Sequence, residues 1–190
     1  MVNQPPAIIT ERLRLRPLEL SDASDIQRLA GDRDVASTTR SIPHPYPEGY
    51  AERWIGDSQA ESEIGGLVIF AVTINENGPK NGEFAGIVEL LIDGGPPSQQ
   101  ALISYWIGKP YWNLGYATEA AKAIVTYGFV ALGLEQIRGR HFVRNPASGK
   151  VLQKIGMSHE GTLEQHTNKW GVLEDVELFT MSKSDLAESQ

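Results

Sequence analysis

Residues 105–121 read YWIGKPYWNLGYATEAA, a stretch that passes from a predicted strand through a glycine turn into a helix of small residues. The helix is predicted to begin near Tyr116, where the first backbone N–H groups have no acceptor inside the helix and the helix dipole favours an anion. Gly115 permits a tight turn and a close approach to the backbone, Ala117 keeps the next position small, and Thr118 adds a hydroxyl. This stretch therefore predicts a phosphate site, and a glycine turn that binds nothing is the alternative interpretation.

The chain has 190 residues, enough for one domain that buries a core without help from metals or disulfides. We expect a single domain over residues 1–183, followed by a polar tail over residues 184–190. The formal net charge of −7 argues against nucleic-acid binding, because proteins that bind a phosphate backbone usually carry basic surfaces. It favours a cationic partner, such as an amine or a basic peptide.

Several classes of site and location are excluded by what the sequence lacks. The chain has no cysteine, which rules out disulfides, thiolate metal sites and a cysteine nucleophile. Neither of the two common glycine-rich nucleotide signatures occurs. The first residues lack the pattern of a signal peptide, and no apolar run approaches the roughly 20 residues that span a bilayer. We therefore expect a cytoplasmic protein without a membrane partner.

Hydrophobic periodicity and turn residues predict an α/β protein with the order strand, two helices, three strands, helix, strand, helix and two strands. Asn-Gly and Gly-Gly-Pro-Pro sequences separate the three central strands, which predicts an antiparallel meander. The predicted bounds are strand 8–17, helices 21–31 and 47–63, strands 67–74, 83–92 and 100–108, helix 116–132, strand 136–143, helix 146–155, and strands 157–165 and 173–181.

Six stretches of the chain carry a recognisable pattern in this order. They are TERLRLRPLELSDA (10–23), IPHPYP (42–47), ISYWIGKPYWNLGYATEAAKAIV (103–125), NPASGKVLQKIGM (145–157), EGTLEQH (160–166) and KWGVLEDVELFTM (169–181). Together they resemble the GNAT superfamily of acyl-CoA N-acyltransferases, and within it the branch of ribosomal-protein N-terminal alanine or serine acetyltransferases. The resemblance implies a mixed, mostly antiparallel sheet of about seven strands, flanked by about four helices and splayed between the fourth and fifth strands.

The resemblance also implies acetyl-CoA as the cosubstrate and no metal. The pyrophosphate would bind at the turn and the first helical residues, and the pantetheine arm along the preceding strand. These cofactor-binding residues are Trp112, Asn113, Leu114, Gly115, Tyr116, Ala117 and Thr118 for the pyrophosphate, and Tyr105, Trp106, Ile107 and Asn145 for the arm. Trp112 and Leu114 depart from the superfamily pattern, but backbone amides provide most of the phosphate contacts, so we expect binding to persist. For Asn145, a plain helix N-cap is the alternative.

Acetyl transfer to an amine needs a base for the ammonium proton and a donor for the leaving thiolate. Many relatives place a tyrosine where this chain has Leu152, so the resemblance points instead to Ser148, one turn earlier. Ser148 would donate to the sulfur and contact CoA, and a helix-surface serine is the alternative. Glu89, in an otherwise apolar strand, is the candidate base if it lines a cleft, and a surface-facing carboxylate is the alternative. His44 and a water-mediated route remain open as well.

The expected acceptor pocket lies between the first two helices and the sheet. His44, Tyr46 and Trp54 would form one wall, with Trp170 and Asp175 opposite. Loop packing is the alternative for the aromatic residues and His44, and a turn-stabilising role is the alternative for Asp175.

Arginine recurs at intervals along two predicted strands. The residues are Arg12, Arg14 and Arg16 in the first strand, and Arg138, Arg140 and Arg144 in and just after the fifth. We interpret both sets as solvated faces. A contact from the second set to the adenosine-side phosphate of CoA is the alternative.

The resemblance implies an acetyl-CoA-dependent N-acetyltransferase that acetylates a primary amine by direct attack, with a peptide or protein N-terminus as the expected acceptor. A basic protein N-terminus suits the acidic chain, and we expect a monomer or a homodimer. Acetylation of a polyamine, amino acid or antibiotic is one alternative. A non-catalytic acyl-CoA sensor is another. Leu152 replaces the tyrosine of many relatives, and Ala101 and Leu102 stand where some superfamily members carry a glutamate early on the strand before the turn.

Overall fold

A single mixed sheet organises the part of the chain that the computed structural model describes, residues 5–188. Its strands are β1 (Ile8–Ile9), β2 (Leu13–Arg16), β3 (Leu67–Ile74), β4 (Phe84–Ile92), β5 (Gln100–Ile107), β6 (Gln136–Phe142), β7 (Ser158–Lys169) and β8 (Val172–Ser182). Their spatial order is β1-β2-β3-β4-β5-β6-β8-β7, and every neighbouring pair is antiparallel except β5 and β6. The predicted mixed, mostly antiparallel sheet is confirmed.

Helices cover both faces of this sheet. They are α1 (Ala23–Ala30), α2 (Arg33–Thr38), α3 (Tyr50–Glu63), α4 (Tyr116–Val130), α5 (Pro146–Lys154) and α6 (Lys183–Glu188). Helix α4 packs against the central strands: Phe70 of β3 meets Tyr127 edge-on at 5.9 Å, and Gly128 lies close to Leu90 of β4. Residues of α1 and α3 lie across the opposite face, where they line a cleft together with Ile87 of β4.

The counts of about seven strands and four helices were too low for the described residues. The first predicted strand is divided by a tight turn into β1 and β2, with the Thr10 N–H donating to Leu13 O at 2.9 Å. Helices α2 and α6 are six residues each, too short to show a helical period in sequence. Polar caps stabilise both: Asp32 accepts from the Asp34 N–H, and Asp185 from the Ser182 N–H.

The strands β5 and β6 separate soon after they begin to pair. They are in register at three pairs, from Gln100 opposite Gln136 to Leu102 opposite Arg138. Beyond these pairs β5 continues to Ile107 and β6 to Phe142 without a contact in the ladder. The predicted splay between the fourth and fifth strands of the sequence analysis is confirmed, and it opens the sheet at its centre.

The three arginines in and just before β2 do not form a simple solvated face. Arg16 donates hydrogen bonds of 2.8 and 2.6 Å to the carboxylate of Asp22, which is only 4% exposed and also accepts from the Glu19 N–H. Arg12 pairs with Glu119 at the start of α4. Only Arg14 is exposed, as predicted. The interpretation was wrong for Arg12 and Arg16, because strand alternation shows which face a side chain occupies but not what covers that face.

We predict that Asp22→Ala lowers the free energy of unfolding by about 2–4 kcal/mol, because it leaves a half-buried guanidinium without its carboxylate. Asp25→Ala is the matched control. It removes an exposed pair with Arg28, whose side chains are 39% and 56% exposed, and should change stability by less than about 0.5 kcal/mol. Urea unfolding of both variants provides the measurement, and similar losses in the two would contradict the prediction.

Candidate active site

The turn before α4 presents an open helix N-terminus. Gly115 occupies the N-cap position with a φ of 83°, and Asn113 also adopts a left-handed conformation with a φ of 62°. No side chain caps the helix at Gly115. The first N–H groups of α4 therefore lack a side-chain acceptor, which leaves them available to an anion.

Contacts from two other segments fix this turn in place. Arg12 donates from Nη1 to Leu114 O at 2.8 Å and from Nε to Glu119 Oε2 at 2.8 Å, and its backbone N–H donates to Glu119 Oε1 at 2.7 Å. At the other end, the indole N–H of Trp112 donates to Ile107 O at 2.6 Å. The turn is thus attached both to Arg12, just before β2, and to the end of β5. Sequence reasoning missed Arg12 and Glu119, because 107 positions separate them.

A cleft of about 920 Å³ runs through the gap between β5 and β6. Its lining includes predicted residues of all three kinds: cofactor-binding, catalytic and acceptor-binding. The predicted residues that line it are Tyr46, Trp54, Glu89, Tyr105, Trp106, Ile107, Trp112, Asn113, Leu114, Gly115, Tyr116, Ala117, Thr118, Asn145 and Ser148. Tertiary structure therefore brings the predicted CoA-binding turn, the predicted donor Ser148 and the candidate base Glu89 into one continuous space.

Three predicted acceptor residues lie outside the lining of this cleft: His44, Trp170 and Asp175. The rings of His44 and Trp170 pack against each other with centroids 5.8 Å apart, and both residues are exposed. Asp175 accepts a hydrogen bond from the Gln165 N–H at 2.8 Å, where the pairing of β7 and β8 is irregular. Their contact with an acceptor stays a prediction.

One wall of the cleft, here called the α5 wall, comprises Tyr105, Asn145, Ser148, Lys150 and Lys154. The phenol oxygen of Tyr105 lies 2.9 Å from Ser148 Oγ and donates to Ser148 O at 3.1 Å. Burial raises the pKa of Tyr105, against a smaller opposing effect of the Ser148 hydrogen bond, so the phenol is protonated at neutral pH. Asn145 occupies the N-cap position of α5, but its side chain makes no capping hydrogen bond.

The opposite wall, the α3 wall, comprises Trp54, Glu89, Ser104 and Arg140. Glu89 pairs with Ser104 in the ladder of β4 and β5, so their side chains share a face, whereas Tyr105 must project to the other face. Burial raises the pKa of Glu89 to about 7, and the Ser104 hydroxyl opposes part of this effect. Glu89 therefore lines the cleft and does not occupy the open surface.

Sequence reasoning missed the role of Ser104 and misjudged Arg140. The register of β4 against β5 sets Ser104 opposite Glu89, and no sequence signal reports that register. Arg138 pairs with Asp93 and Arg144 with Glu174, in keeping with a polar face, but Arg140 lines the cleft. The sequence placed Arg140 between Gly139 and His141 in a predicted strand. It did not show that this strand stops pairing with β5 before Arg140.

No group of three or more His, Asp or Glu side chains within residues 5–188 is placed to hold a metal ion. None of the helices in the described part combines the length and apolar character needed to cross a bilayer.

Comparison with known proteins gives matches along most of the chain. Residues 12–158 match the model of the acetyltransferase (GNAT) domain. The uncharacterized N-acetyltransferase p20 of Bacillus licheniformis is 28% identical, over 95% of this chain and 98% of its own length.

Solved structures agree with this match. A GNAT-family acetyltransferase of Bacillus anthracis has a TM-score of 0.80 at 22% identity, covering 94% of this chain and 99% of its own. The ribosomal alpha-N-protein acetyltransferase RimL, in complex with coenzyme A, has a TM-score of 0.83 at 16% identity, covering 93% and 98%. At such identities the structures support the fold, while the domain match covers more than half of the sequence. The chain therefore belongs to the GNAT family of N-acetyltransferases.

Proposed function

We propose that this protein transfers the acetyl group of acetyl-CoA to a primary amine by direct attack, with a peptide or protein N-terminus as the acceptor. One observation carries the proposal: a single cleft joins the open N-terminus of α4 to the partly buried carboxylate of Glu89 through the gap between β5 and β6. The coenzyme A bound to the structural neighbour RimL supports the choice of donor.

Acetyl-CoA, the acetyl donor, would bind along the α5 wall and at the turn before α4. The amides that follow Gly115 supply donors for the pyrophosphate, and the backbone of β5 beyond Leu102 has groups that β6 does not satisfy. These groups fit the amide-rich pantetheine arm. A backbone N–H near Trp106 would then stabilise the negative charge that develops on the thioester oxygen during attack.

The two candidate catalytic side chains lie on opposite walls, which suits a reaction between molecules that enter from opposite faces. Glu89 accepts a proton from the acceptor ammonium, and the free amine attacks the thioester carbonyl carbon. A C–N bond forms to give a tetrahedral intermediate, whose nitrogen releases its second proton to solvent as the C–S bond breaks. Ser148 donates its proton to the leaving thiolate, and the adjacent Tyr105 hydroxyl supplies a route to replace that proton.

Gly115→Ala should raise the dissociation constant of acetyl-CoA by at least about tenfold, because a Cβ would strain the left-handed turn and lie 3.2 Å from Arg12 Nη2, on the guanidinium that holds the turn beside the helix amides. Gly133→Ala is the matched control, since Gly133 has a similar φ of 70° and open space around it, away from the cleft. It carries the same backbone strain and should bind acetyl-CoA normally. Calorimetric titration provides the measurement, and normal affinity in Gly115→Ala would exclude the phosphate assignment.

Ser148→Ala should lower kcat by about 10- to 100-fold and change the dissociation constant of acetyl-CoA by less than about threefold. The reason is that the hydroxyl is needed when the thiolate leaves, while the turn provides most of the binding. Steady-state rates of CoA release and titration of acetyl-CoA test this. Equal losses in rate and affinity would reduce Ser148 to a binding residue.

The raised pKa of Glu89 predicts how the rate of the reaction depends on pH. The value of kcat/KM should rise with pH through about 7, as the carboxyl group loses its proton. Glu89→Gln should abolish this inflection and lower kcat/KM at higher pH by about 100-fold or more. A persistent inflection at the same pH in Glu89→Gln would exclude Glu89 as the base.

A stability measurement provides the control for this variant. A carboxyl group whose folded pKa is raised contributes stability below its unfolded pKa, and that contribution is lost as pH rises through about 7. Glu89→Gln should therefore be more stable than the unchanged protein above pH 7, by on the order of 1–3 kcal/mol, and this gain should vanish below about pH 4.5. Lower stability of the variant at every pH would indicate damaged packing.

The acceptor class requires a screen of free N-terminal peptides, polyamines and amino acids, read by CoA release and by the mass of the product. Turnover with peptides supports the proposed acceptor. Turnover with small amines alone would assign the protein to small-molecule acetylation. Binding of acetyl-CoA without turnover across the whole panel would indicate an acyl-CoA sensor.

A further inference from the structure

Arg140 projects into the cleft from the α3 wall. Its neighbours on β6 face the other way: Gly139 lies against Leu152 of α5, and His141 lies against Gly149 of α5. Strand alternation therefore directs Arg140 to the face that carries Glu89. It lies past the last pairing of β5 with β6, so its side chain borders the gap itself.

A second arginine, Arg40, lines the same cleft from the loop that follows α2. Two cations hold the backbone on either side of Arg40, one at the end of α2 and one in the loop. Arg144 donates to Ser37 O at 2.7 Å, and Lys169 donates from Nζ to Ile42 O at 2.7 Å. Lys169 is only 4% exposed, so this second attachment is buried. The backbone that carries Arg40 is therefore fixed at the wall of the cleft.

Neither arginine has a carboxylate partner among residues 5–188, whereas Arg138 and Arg144 each have one. Burial lowers the pKa of Arg140, and the charges of Arg40 and Arg138 lower it further, with no acidic group acting in the opposite direction. Among the described residues that line the cleft, Glu89 is the only acidic one. The two guanidinium groups thus repel each other beside a cavity, which is an arrangement that an anion would stabilise.

We propose that Arg40 and Arg140 bind an oxyanion of the acceptor, a carboxylate or a phosphate, while Glu89 receives its amine. The inference rests on the proposed acetyl transfer and specifies its substrate class: an amine that carries a negative charge nearby, such as a peptide N-terminus followed by acidic residues. Guanidinium groups suit this task because they bind carboxylates and phosphates through paired hydrogen bonds. Glu89 and Arg140 lie on strands two apart, a backbone distance of at least about 10 Å, so amine and anion belong to different parts of the acceptor.

This inference reverses the expectation of a basic acceptor, which rested on the net charge of −7. Net charge describes the whole surface, and an acceptor responds to the charges of the cleft. The phosphates of CoA are not the intended anion, because Arg140 lies on the face opposite α5, whereas the open helix N-terminus belongs to α4, on the same face as α5.

The test compares short peptides with a free N-terminal serine that differ only in the following residues: aspartate and glutamate, or asparagine and glutamine, or lysine. A further arm replaces the acidic side chains by phosphoserine, which separates phosphate from carboxylate recognition. The acidic peptide and the phosphorylated peptide should each show a kcat/KM at least about tenfold above that of the amide peptide, as expected for one desolvated charge pair. Equal rates for the acidic, phosphorylated and amide peptides, or a preference for lysine, would overturn the inference.

Arg40→Gln and Arg140→Gln should each reduce the preference for acidic over amide peptides to about threefold or less, with unchanged affinity for acetyl-CoA. Arg138→Gln is the matched control, because Arg138 lies on the same strand and face but pairs with Asp93. It should keep the preference. A loss of acetyl-CoA affinity in Arg140→Gln would assign the pair to the donor and overturn the inference.

Binding separates this inference from the proposed function. The full-length protein saturated with CoA, which cannot acetylate, is titrated with the acidic and the amide peptides. Tighter binding of the acidic peptide that depends on Arg40 and Arg140 supports the anion site, even where turnover is absent and acetyl transfer fails as the function. Equal binding with normal turnover would leave acetyl transfer in place and overturn the anion site.

Discussion

The separation of β5 from β6 is the constraint on which the rest of the site depends. Two parallel strands that stop pairing after Leu102 and Arg138 leave backbone N–H and C=O groups without ladder partners at the centre of a sheet. Such groups are costly to bury unless something else satisfies them. The open cleft between the strands keeps them accessible, so the unpaired backbone becomes a surface that a polar, extended ligand can complete.

The same separation explains why the two candidate catalytic side chains, Glu89 and Ser148, lie on opposite walls. Side chains alternate along β5, so Ser104 faces Glu89 on one side of the sheet and Tyr105 reaches Ser148 on the other. In a closed sheet, these groups would be isolated from each other by a continuous layer of backbone. Where the strands separate, an acetyl donor that binds on one side of the sheet and an amine acceptor that binds on the other can meet within the layer of the sheet.

Charged residues are distributed unevenly in this protein, so the net charge of the chain does not describe the charge of the cleft. Twenty-four acidic residues outnumber seventeen basic ones, yet the lining of the cleft contains one carboxylate, Glu89, and several cations. Outside the cleft, acidic residues pair with five of the ten arginines, as Asp22 does with Arg16. Arg40 and Arg140, the two arginines at the cleft, have no such partner among the described residues, and their position gives the site a charge opposite in sign to that of the chain.

Much of the fold could be predicted from sequence because its signals are local. Strand alternation, the turn residues and the small-residue helix after Gly115 determined the order of elements, and the motifs around them indicated the family and the splayed sheet. The count failed where segments are shorter than the period that identifies them, as in α2 and α6. The open N-terminus of α4 was likewise readable, since a glycine before a helix has a local physical meaning.

Only the tertiary structure decided which side chains share the cleft. The pairing of Arg12 with Glu119, the position of Ser104 opposite Glu89 and the approach of Arg40 to Arg140 all join distant parts of the chain. Strand register and loop attachment bring these residues together, and neither can be recognised from the residue types in the sequence. By itself the sequence determined the fold and predicted an anion site at the start of a helix. The three-dimensional packing decided the charge of the opposite wall, because electrostatic interactions depend on distance in space and not on separation along the chain.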